Sequence, residues 1–443
     1  MINRICILLL LGLSCQAAGW KAGAAKVDIT PDGPIWMSGY AARTKPSEGR
    51  LGSLYAKALV IEDDRKHRVV FISTDLVGIP RPVADEISIA ALKKHGLERS
   101  QIVINASHTH SGPVVWPNLS SMFFFNDTEK ERVETWTRKF VRDVGALLDA
   151  AIGNLRPVTL EHSIGKATFA MNRRLPVNGA IKLAPNPEGI TDHQVPVLKV
   201  IGDGGQRLAT MFSYSCHNTT MTGEFYQLNG DYAGFAQAEL EERFPGMVAM
   251  FVTGCAGDQN PNPRSSLEST KLHGHELAEA VMEATAKQGE ALKGRVRTGF
   301  QMLELPYQPF GRNDFEAQLN SSNKYEVARA KSMLKAMDER REQRKLPYPV
   351  QVVKLGQLDM VTLGGEVVVE YCLRLRRETN NPKLFVLAYS NDVMCYIPTR
   401  KQVGEGGYEA KDSFLYYGQP APLAGEAEDV IINGARALLK KVK

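Results

Sequence analysis

The sequence contains few cysteines, and none of them is spaced as in a thiolate metal site. There are six in 443 residues, and no Cys-x-x-Cys pair occurs. This argues against a structural zinc site of the cysteine type and against a disulfide framework. Two cysteines lie in the first 15 residues, and we expect the others to be buried free thiols. These are Cys216, Cys255, Cys372 and Cys395.

Long apolar segments and a large excess of one charge are also missing. Beyond the N-terminus no stretch approaches the ~20 apolar residues that a membrane-spanning helix needs. Lys and Arg total 54 and Asp and Glu total 49, a net charge of only +5. The composition therefore gives no sign of a protein that neutralises a nucleic-acid backbone, and it excludes a polytopic membrane protein. We expect a small molecule as the partner.

The N-terminus has the pattern of a secretory signal peptide. Arg4 precedes an apolar stretch from Ile5 to Leu13, and the small residues at 17–19 follow. Such a segment is too short to span a bilayer and is removed on export. We predict a signal peptide over residues 1–19, a single domain over 20–443, and a secreted or periplasmic protein. Lipid anchoring at Cys15 and peripheral membrane contact remain open.

Three β-α-β patterns recur along the chain, each with polar residues after its strands. In parallel α/β sheets, ligands bind beyond the carboxyl ends of the strands. We therefore predict an α/β fold of mixed, largely parallel sheets with flanking helices, and a site at the carboxyl ends of strands. The expected strand pairs are 68–73 with 101–105, 208–213 with 247–253, and 358–363 with 384–387.

Histidines at two of these strand ends suggest a metal site. His108 and His110 are two residues apart, and on an extended segment this spacing places both rings on one side. His217 ends another strand, and Glu366 follows a Gly-Gly pair. Zinc takes histidine nitrogens and carboxylate oxygens, and catalytic sites keep one position open. Each residue alone also has a plain explanation, such as a polar loop or a carboxylate in the first turn of a helix.

The segment from Gly254 to Pro263 is a turn that is rich in amide and carboxylate side chains. It follows an apolar strand and contains Asp258 and Asn260. A second loop of this kind runs from 394 to 409. Composition alone leaves a plain turn equally open for both segments.

Together these segments resemble the N-terminal catalytic domain of the neutral/alkaline ceramidase family. Ser107–Pro113 (Ser-His-Thr-His-Ser-Gly-Pro) is the most specific motif, and Gly23–Pro31 with Met37–Tyr40 is similar to the start of that family. The segments occur in the family's order from about Gly23 to Tyr417. The resemblance implies a zinc-dependent amidase that cleaves the N-acyl bond of ceramide.

The resemblance also implies roles for individual residues. The family's zinc is held by two histidines, one glutamate and one tyrosine, and further side chains face the substrate. The matching metal ligands here are His108, His217, Glu366 and Tyr396. The matching residues that would face the substrate are His110, Arg173 and Tyr408.

The sequence departs from the family at two points. Asn260 stands where the family has its nucleophilic serine, and the chain ends at Lys443, which leaves no room for a C-terminal immunoglobulin-like domain. A carboxamide cannot form an acyl-enzyme, so we expect attack by zinc-activated water. Asp258 or His110 would serve as the base, and Asn260 would stabilise the oxyanion or merely close a turn.

Three other interpretations remain open at this point. The first is a metal-dependent amidohydrolase barrel, which would need further metal ligands for which no clear candidates are found. The second is a family member that has lost catalysis and acts as a binding protein. The third is a hydrolase of a different substrate, for example a sugar derivative, because the shared motifs do not establish ceramide as the substrate.

Overall fold

The computed structural model describes residues 19–442, so the predicted signal peptide and the question of Cys15 lie outside the described residues. The strands are β1 Trp20–Asp28, β2 Gly49–Arg50, β3 Tyr55–Glu62, β4 Arg68–Thr74, β5 Ile102–Ala106, β6 Arg156–Lys166, β7 Ala170–Val177, β8 Ala180–Asn186, β9 Gln194–Gly202, β10 Arg207–Tyr214, β11 Gln227–Leu228, β12 Val248–Thr253, β13 Gln259–Pro261, β14 Glu290–Ala291, β15 Val296–Pro306, β16 Lys345–Leu355, β17 Leu358–Leu363, β18 Glu366–Val367, β19 Phe385–Leu387 and β20 Tyr396–Ile397. The helices are α1 Arg81–His95, α2 Asp127–Gly153, α3 Asp231–Arg243, α4 Leu267–Ala286, α5 Arg312–Gln318, α6 Lys324–Asp338, α7 Glu370–Glu378, α8 Arg400–Glu405 and α9 Ala427–Lys441.

Two sheets carry most of the fold. A nine-stranded sheet has the order β12-β10-β9-β6-β1-β3-β4-β5, with β14 added beside β6, and a four-stranded sheet has the order β15-β16-β17-β19. Apolar side chains of both sheets share one buried cluster, for example Phe71 and Met211 with Val353 and Phe385. The two sheets therefore pack face to face, and their strands carry the nearly continuous apolar runs of sheets that are covered on both faces.

Helices cover the outer faces of this pair of sheets. Helices α1 and α2 bury their apolar faces against β3, β4 and β5, while α3 and α4 do so against β9, β10 and β12. Helix α9 packs on β15 and β16. In α2 the apolar positions Val133, Trp136, Phe140 and Val144 recur at helical spacing, and all four are buried. The helix begins after a capping box in which the Asn126 side chain accepts from the backbone N–H of Glu129.

The predicted mixed α/β class with flanking helices is confirmed. Strands β4 and β5, β10 and β12, and β17 and β19 pair in parallel, as the β-α-β patterns predict. The pairs between them, from β10 through β9, β6, β1 and β3 to β4, are antiparallel. The sheets are thus mixed rather than largely parallel. Over residues 19–442 the chain forms open sheets and not the amidohydrolase barrel.

Two further sequence-based expectations concern the chain as a whole. Cys216, Cys255, Cys372 and Cys395 are all buried free thiols, which confirms the prediction for these four cysteines. In the described part of the chain, no helix combines the length and the apolar character that crossing a membrane requires.

The carboxyl ends of the parallel strands meet at one place. The chain continues from β5 to His108, from β10 to His217 and from β17 to Glu366. The connections are tied together by a bridge between Thr109 and Asn218, and by the pairing of β18 with β20. The polar residues after the strands are therefore held close together by backbone hydrogen bonds.

Candidate active site

Two histidines present their Nε2 atoms to the same point. The ring nitrogen Nδ1 of His108 donates to the carbonyl of Val77, and Nδ1 of His217 donates to the carbonyl of Ala256 at 2.7 Å. These bonds place the imidazole proton on Nδ1 and leave the Nε2 lone pair free. Burial lowers the pKa of His217 to about 3, with Arg173 as a further cause, so this ring is neutral near pH 7.

The backbone at His108 adopts the left-handed conformation, with φ +63°. This conformation is uncommon for residues other than glycine and costs roughly 1–3 kcal/mol, and it persists only where the surroundings impose it. Here the peptide N–H of His108 donates to the carbonyl of Leu76, which fixes the turn after β5. Strain of this kind concentrates at functional sites, so it supports a special role for this ring.

Glu366 lies between the two histidines. Its Oε2 atom is 3.0 Å from Nε2 of His108 and 3.0 Å from Nε2 of His217. The carboxylate is buried, and Glu366 is 3% exposed. Tyr396 completes the group, because its hydroxyl oxygen lies 3.2 Å from Nε2 of His217.

His110 also faces this point. Its Nε2 atom is 3.1 Å from Nε2 of His108, while its Nδ1 atom is buried without a hydrogen-bond partner. Burial lowers the pKa of His110 well below its usual value. The ring packs against Tyr40 at 4.7 Å between ring centroids. The structure thus brings His110 together with the predicted ligands, within the same reach of a shared ion.

A buried network of charges lies behind Tyr396. Arg173 donates to the Tyr396 hydroxyl at 2.9 Å, to Oδ1 of Asn260 at 3.1 Å and to Glu409 at 2.8 Å. Glu409 also accepts from Arg174 at 2.8 Å. Burial opposes the charge of Arg173, but Tyr396 and Glu409 outweigh it and raise its pKa. Each guanidinium nitrogen of Arg173 already donates to a protein side chain, so in this structure Arg173 orients Tyr396 and Asn260.

Asn260 and Tyr408 carry polar atoms that are not taken up by the protein. The Asn260 oxygen accepts from Arg173 and, at 3.4 Å, from the hydroxyl of Thr219. Within residues 19–442 its NH₂ group and the Tyr408 hydroxyl form no hydrogen bond, and both residues are partly exposed. The Tyr408 ring lies 5.5 Å from that of Tyr396. Both residues therefore offer free polar groups beside the cluster.

Asp258 is not brought into the cluster. One of its carboxylate oxygens accepts from the backbone N–H of Val369 at 2.9 Å and from Gln259 at 3.0 Å. The other accepts from Gln402 at 3.1 Å. Burial raises the pKa of Asp258. These bonds tie the turn after β12 to Val369 at the start of α7 and to Gln402 in α8.

The residues at this point fit a metal ion. Nε2 of His108 and Nε2 of His217 each lie 3.0 Å from Oε2 of Glu366, all three atoms carry lone pairs, and the histidine protons are committed to carbonyl groups on the far side. Such a group repels itself unless a cation lies among its members. Bonds of 2.0–2.1 Å to a tetrahedral zinc separate the ligand atoms by about 3.3 Å, close to the distances observed here.

Some residues of the site were not found from the sequence. The hydroxyl of Tyr417 donates to Oε1 of Glu366, and that of Tyr389 lies 3.4 Å from Oε2. Tyr389 lies two residues after the end of β19, where ligand-binding residues of parallel α/β sheets are expected. The only feature of the sequence that points to Glu409 is its position next to Tyr408. Its arginine partners lie in β7, too far away in sequence for a local pattern to reveal the contact.

Comparisons with known proteins agree with this geometry. Residues 20–271, more than half of the chain, match the family model described as neutral/alkaline non-lysosomal ceramidase, N-terminal. The neutral ceramidase of Pseudomonas aeruginosa is 23% identical over 93% of this chain and 72% of its own length. That of Mycobacterium tuberculosis is 23% identical over 88% of this chain and 73% of its own length, and that of Drosophila melanogaster is 23% identical over 67% and 50%.

Solved structures show the same fold. The crystal structure of neutral ceramidase from Pseudomonas aeruginosa superimposes with a TM-score of 0.75 and 20% identity, over 96% of this chain and 75% of that one. A structure described as ceramidase complexed with C2 gives a TM-score of 0.73. The family model, the relatives and the shared architecture lead to one conclusion: the chain belongs to the neutral/alkaline non-lysosomal ceramidase family.

Proposed function

We propose that this protein is a zinc-dependent amidase that hydrolyses the N-acyl bond of a small-molecule or lipid substrate. The observation that carries the proposal is that Nε2 of His108 and Nε2 of His217 each lie 3.0 Å from Oε2 of Glu366. The proposed ligands of the ion are these three residues and Tyr396. Bound there, zinc would polarise a carbonyl group and lower the pKa of a water molecule toward 7.

Asn260 would act on the oxygen of the scissile carbonyl. Because Arg173 holds the Asn260 oxygen at 3.1 Å, the NH₂ group is directed away from Arg173 and is free to donate. A donor of this kind stabilises the negative charge that develops on the carbonyl oxygen during attack. Tyr408, whose hydroxyl has no partner in the described residues, is proposed to orient the substrate from the other side.

His110 is the better-placed of the two proposed bases. It is neutral near pH 7, and its Nε2 atom lies 3.1 Å from Nε2 of His108. A water molecule at the centre of the cluster would thus be within hydrogen-bond reach, the first requirement for a general base. Asp258 is bonded to Val369 and Gln402 and would have to give up these bonds to serve. No serine is needed for this route, in keeping with Asn260 at that position.

The N-terminal pattern supports export as part of this proposal. Cleavage after residue 17, 18 or 19 would release the chain just before β1 begins at Trp20. N-terminal sequencing of protein from the cell exterior or periplasm tests this. An intact Met1 on the exported protein would contradict it.

The test of function combines metal analysis with an amide panel. Purified protein should carry one zinc per chain and release fatty acid from an N-acyl substrate, and a chelator should abolish the release. His217→Ala should lose both zinc and activity, while His67→Ala, an exposed histidine, should keep both. Full activity without metal would contradict the proposal. A folded, zinc-loaded protein that cleaves no amide or ester would favour the binding-protein alternative.

A further inference from the structure

Arg264 has no acidic partner although it lies next to the active site. It follows β13 by three residues and donates from Nη2 to the hydroxyl oxygen of Tyr40 at 3.0 Å. Its Nε atom is buried without a hydrogen-bond partner. Within residues 19–442, no carboxylate lies within 4.0 Å of its guanidinium. This arginine therefore has unused donors.

Tyr40 connects Arg264 to the catalytic cluster. The Tyr40 ring packs edge-on against His110 at 4.7 Å, and its hydroxyl donates to the carbonyl of Met221 at 3.1 Å. The tyrosine is thereby fixed with His110 at its face and Arg264 at its hydroxyl. A substrate that lies over His110 would extend along Tyr40 toward the guanidinium.

A second arginine adds positive charge here without an acidic partner. Arg43 is 5% exposed and donates to the carbonyls of Ser38, His110 and Phe225. Its guanidinium lies 5.0 Å from the centre of the Tyr40 ring. Burial lowers its pKa to about 10, which leaves it charged at neutral pH. All of its hydrogen bonds go to neutral groups, so no hydrogen-bonded partner neutralises its charge.

The neighbouring carboxylates do not supply the missing partner. Asp231 is fully buried, and its oxygens accept from the backbone N–H groups of Thr220 and Met221. Glu224 is exposed and accepts from the hydroxyl of Thr222 at 2.5 Å, and this bond, with smaller contributions from Arg264 and Arg43, lowers its pKa. Its carboxylate is near both arginines but forms no ion pair within 4.0 Å with an arginine of the described chain. Apart from Arg43, the fully buried arginines within residues 19–442 are paired with carboxylates, whereas the partly buried Arg99, Arg207 and Arg329, like Arg264, form no ion pair.

The fully buried arginines other than Arg43 have carboxylate partners. Arg173 and Arg174 share Glu409, and Arg376 pairs with Asp192 at 2.7 Å. An uncompensated charge near the protein interior costs free energy, and natural proteins pair such charges or bind an ion with them. A guanidinium with free donors beside a catalytic centre is suited to bind a carboxylate or sulfonate.

We propose that the substrate carries a negatively charged group, a carboxylate or a sulfonate, on the same molecule as the scissile amide, and that Arg264 binds this group beside Tyr40. This inference rests on the proposed amidase function. Arg264 is then a specificity-determining residue, which distinguishes anionic N-acyl compounds from neutral ones such as ceramide.

The test uses substrates that differ only in charge. The zinc-loaded enzyme is assayed with N-lauroylglycine, N-lauroyltaurine, the neutral analogue N-lauroylglycinamide, and a ceramide. We expect kcat/KM for at least one of the two anions to exceed that for the glycinamide by tenfold or more, mainly through a lower KM.

Substitutions at Arg264 then assign the preference. In Arg264→Gln the ratio of anion to glycinamide kcat/KM should fall to about one, and Arg264→Lys, which keeps the charge without the fork, should be intermediate. Lys271→Gln removes an exposed charge of the same sign on α4 and should keep the full ratio. Circular dichroism checks that each variant folds. If Arg264→Gln does not fold, the ratio is measured in Arg264→Lys instead.

The outcomes distinguish failure of the anion preference from failure of the amidase function. Equal or faster turnover of the neutral amides contradicts the anion inference but not the amidase proposal. An unchanged ratio of anion to glycinamide kcat/KM in a folded Arg264 variant has the same consequence. If no amide is cleaved, the amidase proposal fails. Calorimetric binding of N-lauroylglycine and N-lauroylglycinamide to wild type and Arg264→Lys then decides the inference. The anion inference is contradicted if the wild-type protein does not bind N-lauroylglycine with a Kd at least tenfold lower than its Kd for N-lauroylglycinamide.

Discussion

The carboxamide of Asn260 is fixed by its neighbours rather than left to rotate. Its oxygen accepts from the charged Arg173 at 3.1 Å and from Thr219 at 3.4 Å. Turning the amide by 180° would place an NH₂ group against a guanidinium, which has no acceptor. The NH₂ group is therefore oriented before any substrate binds, the condition under which a donor contributes most to catalysis.

We expect Asn260→Ala to lower kcat by roughly 10²–10³-fold with the fold intact, because it removes this donor. Steady-state kinetics on any cleaved amide, with circular dichroism as the check on folding, measures the loss. Asn260→Ser is the informative second variant, because its hydroxyl can donate but is shorter. Burst kinetics and a covalent acyl adduct in the wild-type protein, detected by mass spectrometry, would refute attack by water.

Glu409 neutralises two buried arginines, since Arg173 and Arg174 each donate to one of its oxygens at 2.8 Å. Glu409→Gln leaves both guanidiniums without this charge, and breaking a buried pair in this way costs roughly 3–5 kcal/mol. Urea denaturation should show a loss of this size in the free energy of unfolding.

Glu405 provides the matched control for that variant. It pairs with Arg174 at 3.1 Å, but its side chain is 33% exposed. Glu405→Gln should cost no more than about 1 kcal/mol. Equal losses in the two variants would mean that burial of the Glu409 network does not set its contribution.

At the level of elements, local signals predicted the β-α-β units well. The expected strands 68–73 and 101–105 correspond to β4 and β5 within one residue, because apolar runs and the turns that end them are both short-range features. The residues after these strands could be named as candidates for the same reason. Among the antiparallel pairs that join the units, β3–β4 and β9–β10 are hairpins of consecutive strands. The pairs β1–β3, β1–β6 and β6–β9 join strands that are far apart in sequence, and no local pattern reports them.

The same distinction separates the site residues that could be predicted from those that could not. His108, His217 and Glu366 follow strands, so their convergence followed from topology. The surroundings of Asp258 and Arg173 follow from packing between distant loops. The roles of Asp258 as a base and of Arg173 as a substrate-binding residue stay predictions, and the structure adds that both side chains are bonded to other parts of the protein.

The turn after β12 packs against the Glu366 segment with no space for a side chain at Gly257. A Cβ atom there would lie 2.6 Å from the carbonyl oxygen of Glu366 and 2.9 Å from a backbone carbon of Val367. We expect Gly257→Ala to push these backbones apart, to lower zinc affinity and to reduce thermal stability. Metal titration and calorimetry measure the two effects.

Gly145, inside α2, is the control glycine. A Cβ atom there would meet nothing within 4 Å. Gly145→Ala should leave zinc binding unchanged and stabilise the protein by up to about 1 kcal/mol through helix propensity. If the two alanine variants behaved alike, close backbone contact at Gly257 would not be what shapes the site.

For the whole molecule, the proposed metal site joins the two sheets. His108 and His217 extend from the nine-stranded sheet, and Glu366 extends from the four-stranded sheet. An ion bound by all three would hold the sheets together at the carboxyl ends of their strands. The positions of the three ligands then depend on how the sheets pack. The backbone bonds between the connecting loops, such as the Thr109–Asn218 bridge, hold these positions.

Zinc should therefore stabilise the folded state of the whole chain. Free zinc at 100 times its Kd adds about 2.7 kcal/mol to the free energy of unfolding, since the unfolded chain lacks the assembled site. We expect a chelator to lower the melting temperature, and readdition of zinc to restore it. His217→Ala should melt at one temperature with and without chelator, and a persistent difference in that variant would place the stabilising ion elsewhere.

The pH dependence of stability should contain a contribution from His162 in β6, far along the chain from the proposed metal ligands. The residue is 4% exposed and its Nε2 atom is buried without a partner, and burial lowers its pKa from 6.5 to about 4. Between these pH values the unfolded chain binds a proton that the folded chain does not. The free energy of unfolding is therefore unaffected by this group above pH ~6.5, and it falls by roughly 3 kcal/mol as the pH drops to about 4.

His162→Phe should remove that part of the fall in urea denaturation series, whereas the exposed His67→Gln should keep it. Wild-type and His162→Phe curves that run parallel from pH 7 to pH 4 would show that the buried ring is not the group responsible.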